Sequence, residues 1–138
     1  MDKLYRVVII DDDEFSADNL CLELKKYNRL SIDGMARNGA NGRKLLEKVH
    51  PDLLFLDVEL PYMKGMELLE QLRGAITWNM QIVFYTAYDK YMIYAIRGAA
   101  FDYLLKPIDK KELEGIIDRF MKKAEESAAA SLVIPPRV

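Results

Sequence analysis

Short apolar runs alternate with amphipathic stretches along most of the chain. Val7-Val8-Ile9-Ile10 ends in three aspartates, and Ile32 to Ala36 forms a weaker run. Leu53-Leu54-Phe55-Leu56 ends at Asp57, Ile82-Val83-Phe84-Tyr85 ends at Thr86, and Phe101 to Leu105 ends at Lys106-Pro107. Continuous apolar runs of this length fit strands buried on both faces, as in a parallel sheet. Between them lie helical spacings. Ala17, Leu20, Leu24 and Tyr27 recur at intervals of three or four residues. Leu45, Leu46 and Val49 mark a second helix stopped by Pro51, and Met66, Leu68, Leu69 and Leu72 mark a third. Residues 90–97 give a fourth. A fifth starts at Asp109, with Glu112 at the capping-box position, and carries the stripe Leu113, Ile116, Ile117 and Phe120. Five alternations of strand and helix predict an α/β fold, a doubly wound parallel sheet with helices on both faces.

Composition narrows the chemistry. A length of 138 residues is one domain's worth, and with 51% hydrophobic residues there is material for a core. A net charge of −2 gives no general attraction to nucleic acid or to an anionic membrane. Cys21 is the single cysteine, so an internal disulfide is excluded, and His50 is the single histidine, which excludes a His-cluster metal site. The N-terminus is too charged, and its apolar run too short, for a signal peptide. No stretch approaches the length of a membrane span. A soluble, cytoplasmic chain is expected.

In a parallel sheet the strand ends share one edge, and ligands bind in the crevice outside the carboxyl ends. The residues after the apolar runs are therefore candidates for one site: Asp11, Asp12, Asp13, Glu14, Asp57, Thr86 and Lys106. Clustered carboxylates repel unless a cation joins them. Oxygen ligands without Cys or His suit a hard ion, and Mg²⁺ is held by one or two carboxylates, water and phosphate oxygens. Mn²⁺ or Ca²⁺ could substitute. A lysine and a hydroxyl suit phosphoryl oxygens. A carboxylate between a metal and a lysine can act as a nucleophile toward phosphorus and form an aspartyl phosphate. Any one of these residues alone would read as an ordinary polar strand end. Four strand ends giving one coherent set argue for function.

These residues resemble the receiver domain of bacterial two-component response regulators over about residues 4–125. The resemblance rests on Ile9-Ile10-Asp11-Asp12-Asp13-Glu14, on Leu56-Asp57-Val58-Glu59-Leu60-Pro61, and on Met63-Lys64-Gly65-Met66-Glu67. Tyr85-Thr86-Ala87 and Asp102-Tyr103-Leu104-Leu105-Lys106-Pro107 complete it. It implies a flavodoxin-like five-stranded sheet of order 2-1-3-4-5 with five helices. It implies that Asp57 accepts a phosphoryl group from a sensor histidine kinase, assisting its own phosphorylation and dephosphorylation without turning over small substrates. Three consecutive aspartates stand where the family has two. Glu14 matches the acidic residue after the pair, which assigns Asp12 and Asp13 to Mg²⁺ and leaves Asp11 as a variant residue. The backbone carbonyl of Glu59 completes the protein ligands, and Thr86 and Lys106 contact phosphoryl oxygens. Tyr103 matches the aromatic switch residue that turns inward when Thr86 moves, and Lys106-Pro107 matches the family's cis peptide.

Within the family the 85–91 and 101–107 segments are most similar to the LytTR-type regulators, in which a DNA-binding domain follows the receiver. Residues 1–126 are then the receiver, and 127–138 a linker or the start of a truncated output domain. DNA would be contacted only through that output domain. The switch should be read out on the fourth helix, fifth strand and fifth helix. Tyr91 to Ile96 is apolar or aromatic all around the fourth helix, which predicts a homodimer interface through Tyr91, Tyr94 and Ala95. Trp78 is expected as a local packing residue, and His50 as the solvated end of the second helix. Three other readings are weaker. A haloacid-dehalogenase-type phosphatase needs a Thr or Val where Phe15 stands. A flavin carrier would have its phosphate repelled by the acidic loop, and a structural pseudo-receiver would lack the site residues.

Overall fold

The computed structural model describes residues 3–72, 74–91 and 100–132, with side chains throughout except at Tyr91 and 129–132. Five strands, β1 Tyr5–Ile10, β2 Leu30–Ala36, β3 Leu53–Leu56, β4 Gln81–Thr86 and β5 Asp102–Leu105, form one sheet in the order β2-β1-β3-β4-β5. Every pairing is parallel. This is the flavodoxin-like order expected from the sequence. Three helices connect the first four strands: α1 Glu14–Leu24, α2 Gly39–Val49 and α3 Gly65–Leu72.

The apolar runs form strands because both of their faces are covered. Val7 to Ile10 and Leu53 to Leu56 are fully buried. Alternate residues point to opposite sides. Val8, Ile10, Leu54 and Leu56 join Leu46 and Val49 of α2 and Leu68 and Leu72 of α3 in one core cluster. The other side is the one that α1 reaches, where the hydroxyl of Tyr85 in β4 donates to the Ser16 carbonyl. Truncating one of these buried leucines to Ala would cost about 2–5 kcal/mol. The chain thus leaves β1 on one face and returns from β2 to β3 over the other. That reversal makes the C-terminal ends of β1 and β3 the switch point of the sheet.

Helix α2 ends as its sequence predicts. His50 takes a left-handed conformation (φ 51°) and its amide closes on the Leu46 carbonyl, directly before Pro51. The His50 ring stacks on Trp78 at 3.9 Å, and Trp78 Nε1 donates to the Pro51 carbonyl at 2.8 Å, so both residues serve local packing.

Two compact units are distinguished, Met1–Ile108 and Asp109–Val138. The second contains helix α4, Lys110–Leu132, which was expected as the fifth helix. Asp109 caps it by accepting the amides of Lys111 and Glu112, and Leu113, Ile116, Ile117 and Phe120 are buried. The helix continues through residues 127–132, the first part of the stretch expected as a linker or the start of an output domain, because Ala128 to Ala130 favour helix and no proline intervenes before Pro135. Residues 133–138 lie outside the described residues. Four α-helices are present among the described residues. The predicted fourth helix is seen only as a 3₁₀ turn at Asp89–Tyr91, with 92–99, including Tyr94 and Ala95, outside them. No described helix is long and apolar enough to cross a membrane.

Candidate functional site

The sheet's hydrogen-bond ladder runs one residue past several strands. Asp11 donates its amide to the Ala36 carbonyl, Asp57 to Ile10, and Lys106 to Thr86. The backbones of Asp11 and Asp57 are thereby fixed at the switch point, and that of Lys106 at the end of β5 on the same edge of the sheet. Their side chains converge. Lys106 Nζ lies 2.7 Å from Asp11 Oδ2 and 2.9 Å from Asp57 Oδ2. The other oxygen of each carboxylate accepts an amide, Asp11 Oδ1 from Asp13 at 2.9 Å and Asp57 Oδ1 from Glu59 at 2.8 Å. Asp11 and Asp57 are 1% and 5% exposed, whereas Asp12 stands in solvent.

Burial raises the Asp11 carboxyl to about 6, against the opposing pull of Lys106 and the Asp13 amide. Burial alone would lower the Lys106 ammonium, but the carboxylates of Asp11 and Asp57 beside it outweigh burial and hold the group above its ordinary value. Candidate ligand oxygens of Asp11, Asp12 and Asp57 lie within 4.8 Å of one another. Three carboxylates share one ammonium, so the cluster carries excess negative charge. Asp11 Oδ2 meets Lys106 as an ion pair without an aligned hydrogen bond, which leaves a buried lone pair free to accept. An all-oxygen donor set with that charge fits a hard divalent ion.

Asp13 belongs elsewhere, which corrects its assignment as a metal ligand. It is the N-cap of α1. Its Oδ1 accepts from the Phe15 amide at 3.2 Å and its Oδ2 from Ser16 Oγ at 2.6 Å. The Ser16 hydroxyl holds its carboxyl below the ordinary value. Strand β1 ends at Ile10, so Asp11 is the first residue beyond it and the pair facing Asp57 is Asp11-Asp12. Aligning on Glu14 displaced the pair by one position.

Residues 7–118 match the family described as the response regulator receiver domain. The chain belongs to this family. A response regulatory protein of Vibrio cholerae serotype O1 is 34% identical to it over 128 residues, 93% of this chain and 53% of the relative. The transcriptional regulatory protein BtsR of Escherichia coli K12 is 35% identical over 129 residues, 94% of this chain and 53% of that protein. The chain therefore spans about half the length of the curated relatives it matches. The receiver (REC) domain of AraT, a response regulator from Geobacillus stearothermophilus, superposes with a TM-score of 0.80 at 26% identity, covering 91% of this chain and 98% of that one. Receiver domains generally bind Mg²⁺ and interact with sensor histidine kinases.

The remaining predicted residues of this receiver domain lie around the same edge. Thr86 ends β4, is fully buried, and accepts the Tyr88 amide on Oγ1 at 3.4 Å. The Tyr103 hydroxyl donates to the Tyr88 carbonyl, and its ring meets Phe84 edge-on at 6.3 Å. Lys106-Pro107 is cis. Glu59 gives its amide to Asp57, while its carboxylate pairs with Lys64 at 2.5 Å and Lys90 at 3.6 Å. Two residues stand in the quoted motifs without a role of their own. Gly65 approaches the acceptor loop so closely that a Cβ there would stand 2.7 Å from the Asp57 carbonyl oxygen. Tyr85 was read as one more apolar strand residue, yet its phenol is buried at the site and held above its ordinary value by burial and by Asp11. A hydroxyl closing an otherwise apolar run was the available clue.

Proposed function

We propose that this receiver domain accepts a phosphoryl group on Asp57 from the phosphohistidine of a sensor kinase, in a Mg²⁺-dependent step. The observation that carries the reading is the placement of Lys106 between Asp57 and Asp11, at 2.9 and 2.7 Å, at the switch point of the sheet. An Asp57 carboxylate oxygen forms the new O–P bond while the P–N bond to the donor imidazole breaks. The imidazole keeps the bonding pair and takes up a proton. Lys106 orients the carboxylate and offsets charge on the phosphoryl oxygens, and Thr86 supplies a hydroxyl to one of them. Asp11, Asp12, Asp57 and the Glu59 carbonyl would hold Mg²⁺, or Mn²⁺ or Ca²⁺ in its place, which when bound neutralises charge on the transferring group. The domain is a phosphoacceptor and not a turnover enzyme.

The phosphoryl group adds about −1.5 to −2 charge. Drawing Thr86 toward it would withdraw the acceptor of the Tyr88 amide and unsettle the segment that Tyr103 holds. The signal then passes to residues 90–108 and the helix after them, controls dimerisation through Tyr91, Tyr94 and Ala95, and reaches DNA through a LytTR-type domain outside these residues. The transcriptional regulators among the relatives support that output.

Intact mass after incubation with Mg²⁺ and acetyl phosphate tests the reading. A gain of one phosphoryl group is expected, lost without Mg²⁺ and in Asp57→Asn. A gain that persists in Asp57→Asn would move the acceptor to another carboxylate.

A further inference from the structure

Tyr85 precedes Thr86 on β4 and is 1% exposed. A buried tyrosine that only fills space gains nothing from its hydroxyl, which must find a partner or be stranded. Here the hydroxyl donates to the Ser16 carbonyl, in the first turn of α1, at 3.0 Å. The ring also lies 5.0 Å from Lys106 Nζ, within cation–π range. From Ser16 the contacts continue. Its Oγ donates to Asp13 Oδ2 at 2.6 Å, the Asp13 amide donates to Asp11 Oδ1 at 2.9 Å, and Asp11 Oδ2 faces Lys106 at 2.7 Å. The chain of contacts is closed: Tyr85, Ser16, Asp13, Asp11, Lys106 and back to the Tyr85 ring. It joins β4, the start of α1 and the loop after β5 around the acidic pocket.

We propose that Tyr85 is a positioning residue, whose hydroxyl fixes the start of α1, and with it Asp11 and Asp12, while its ring sets the place of Lys106. The inference rests on the proposed function of the same site. A core role and a positioning role separate in Tyr85→Phe. Phenylalanine keeps the ring, the volume and the apolar contacts of β4, and removes only the link to Ser16.

Three quantities are compared between the parent and Tyr85→Phe: the Mg²⁺ dissociation constant, from amide shifts of residues 11–14 titrated with Mg²⁺ alone; amide exchange in the first turn of α1 without metal; and the thermal midpoint. The proposal expects Mg²⁺ binding weakened about two- to tenfold, the worth of one hydrogen bond, faster exchange in that turn, and a cooperative thermal transition close to the parent's. Parental Mg²⁺ affinity and exchange in folded Tyr85→Phe overturn it. Ser16→Ala cuts the ring of contacts at the next link and keeps the test open should Tyr85→Phe not fold. It too should weaken Mg²⁺ binding. The double variant should lose less than the product of the two single losses, since both act through one path, and fully independent losses count against the proposal. A parent that binds no Mg²⁺ defeats the reading of the site itself. A parent that binds Mg²⁺ beside an indifferent Tyr85→Phe defeats this inference alone.

Discussion

Asp11 carries a charge that its surroundings only partly support. It titrates near 3.8 in the unfolded chain and at about 6 in the folded one, because burial outweighs the pull of Lys106. Between those values the folded state binds more protons than the unfolded state. Without metal, the stability contributed by Asp11 is therefore present below about pH 4 and lost as the pH rises through about 6. The difference amounts to at most on the order of 3 kcal/mol. Asp11→Asn removes the charge and keeps the acceptor for the Asp13 amide. In metal-free urea unfolding near neutral pH the variant should be the more stable protein, with the gap closing toward pH 4. Excess Mg²⁺ should reverse the order, because the ion stabilises the form that binds it. A variant less stable than the parent at both pH values would show that pairing with Lys106 outweighs burial. Gly65 makes a second case. Its added Cβ would meet the Asp57 carbonyl oxygen at 2.7 Å and Val58 Cα at 2.8 Å, both backbone atoms that cannot rotate aside. Gly65→Ala should cost about 1–3 kcal/mol in the same unfolding experiment and slow phosphorylation by acetyl phosphate, since the displaced loop carries the acceptor. Parental stability and rate would mean that the loop yields freely.

At the scale of elements, α1 separates two kinds of aspartate. Asp13 caps it through Phe15 and Ser16, while Asp11 and Asp12 face Asp57. Asp13→Ala should cost about 1 kcal/mol and weaken Mg²⁺ binding no more than Ser16→Ala does, since both variants remove the same hydrogen bond. Asp12→Ala, at an exposed position, should leave stability nearly intact and remove most Mg²⁺ binding. The opposite pattern in calorimetric titration would restore Asp12-Asp13 as the pair. The same helix shows what could be read from the sequence. The strands at 53–56, 82–85 and 101–105 were legible to within a residue, because both-face burial writes a continuous apolar run. The start of α1 was not, because Glu14 to Ser16 show no apolar periodicity and are held by a cap. Tyr27, counted into that helix by spacing, lies beyond its end at Leu24, where its amide closes on the Leu24 carbonyl. Missing the cap is also what misplaced Asp13. The residues at the sheet edge were legible as a group, since parallel strands must end together. Their distances, and the closed path through Tyr85, depend on contacts between residues as far apart as Ser16 and Tyr85, which no local pattern records.

For the whole molecule, the question is what a phosphoryl group on Asp57 changes beyond the site. The relatives are about twice as long as the stretch they share with this chain, 53% of each being covered. A change in how two receivers associate is a direct way to pass a signal to a further domain. The proposed interface falls on 91–96, whose sequence Tyr-Met-Ile-Tyr-Ala-Ile predicts a helix apolar on every side. Sedimentation velocity of the phosphorylated chain should therefore show a dimer, with the unphosphorylated chain and Asp57→Asn remaining monomeric under the same Mg²⁺ and acetyl phosphate. Tyr94→Asp places a charge in the middle of the segment. It should hold the phosphorylated chain monomeric, while intact mass still shows one phosphoryl group gained. A phosphorylated parent that stays monomeric at high protein concentration would remove dimerisation as the readout and leave the switch to act through a direct contact with the rest of a longer protein. Loss of phosphorylation in Tyr94→Asp would instead mean that the segment supports the site itself, since it follows the 88–91 turn that Thr86, Tyr103 and Glu59 hold in place.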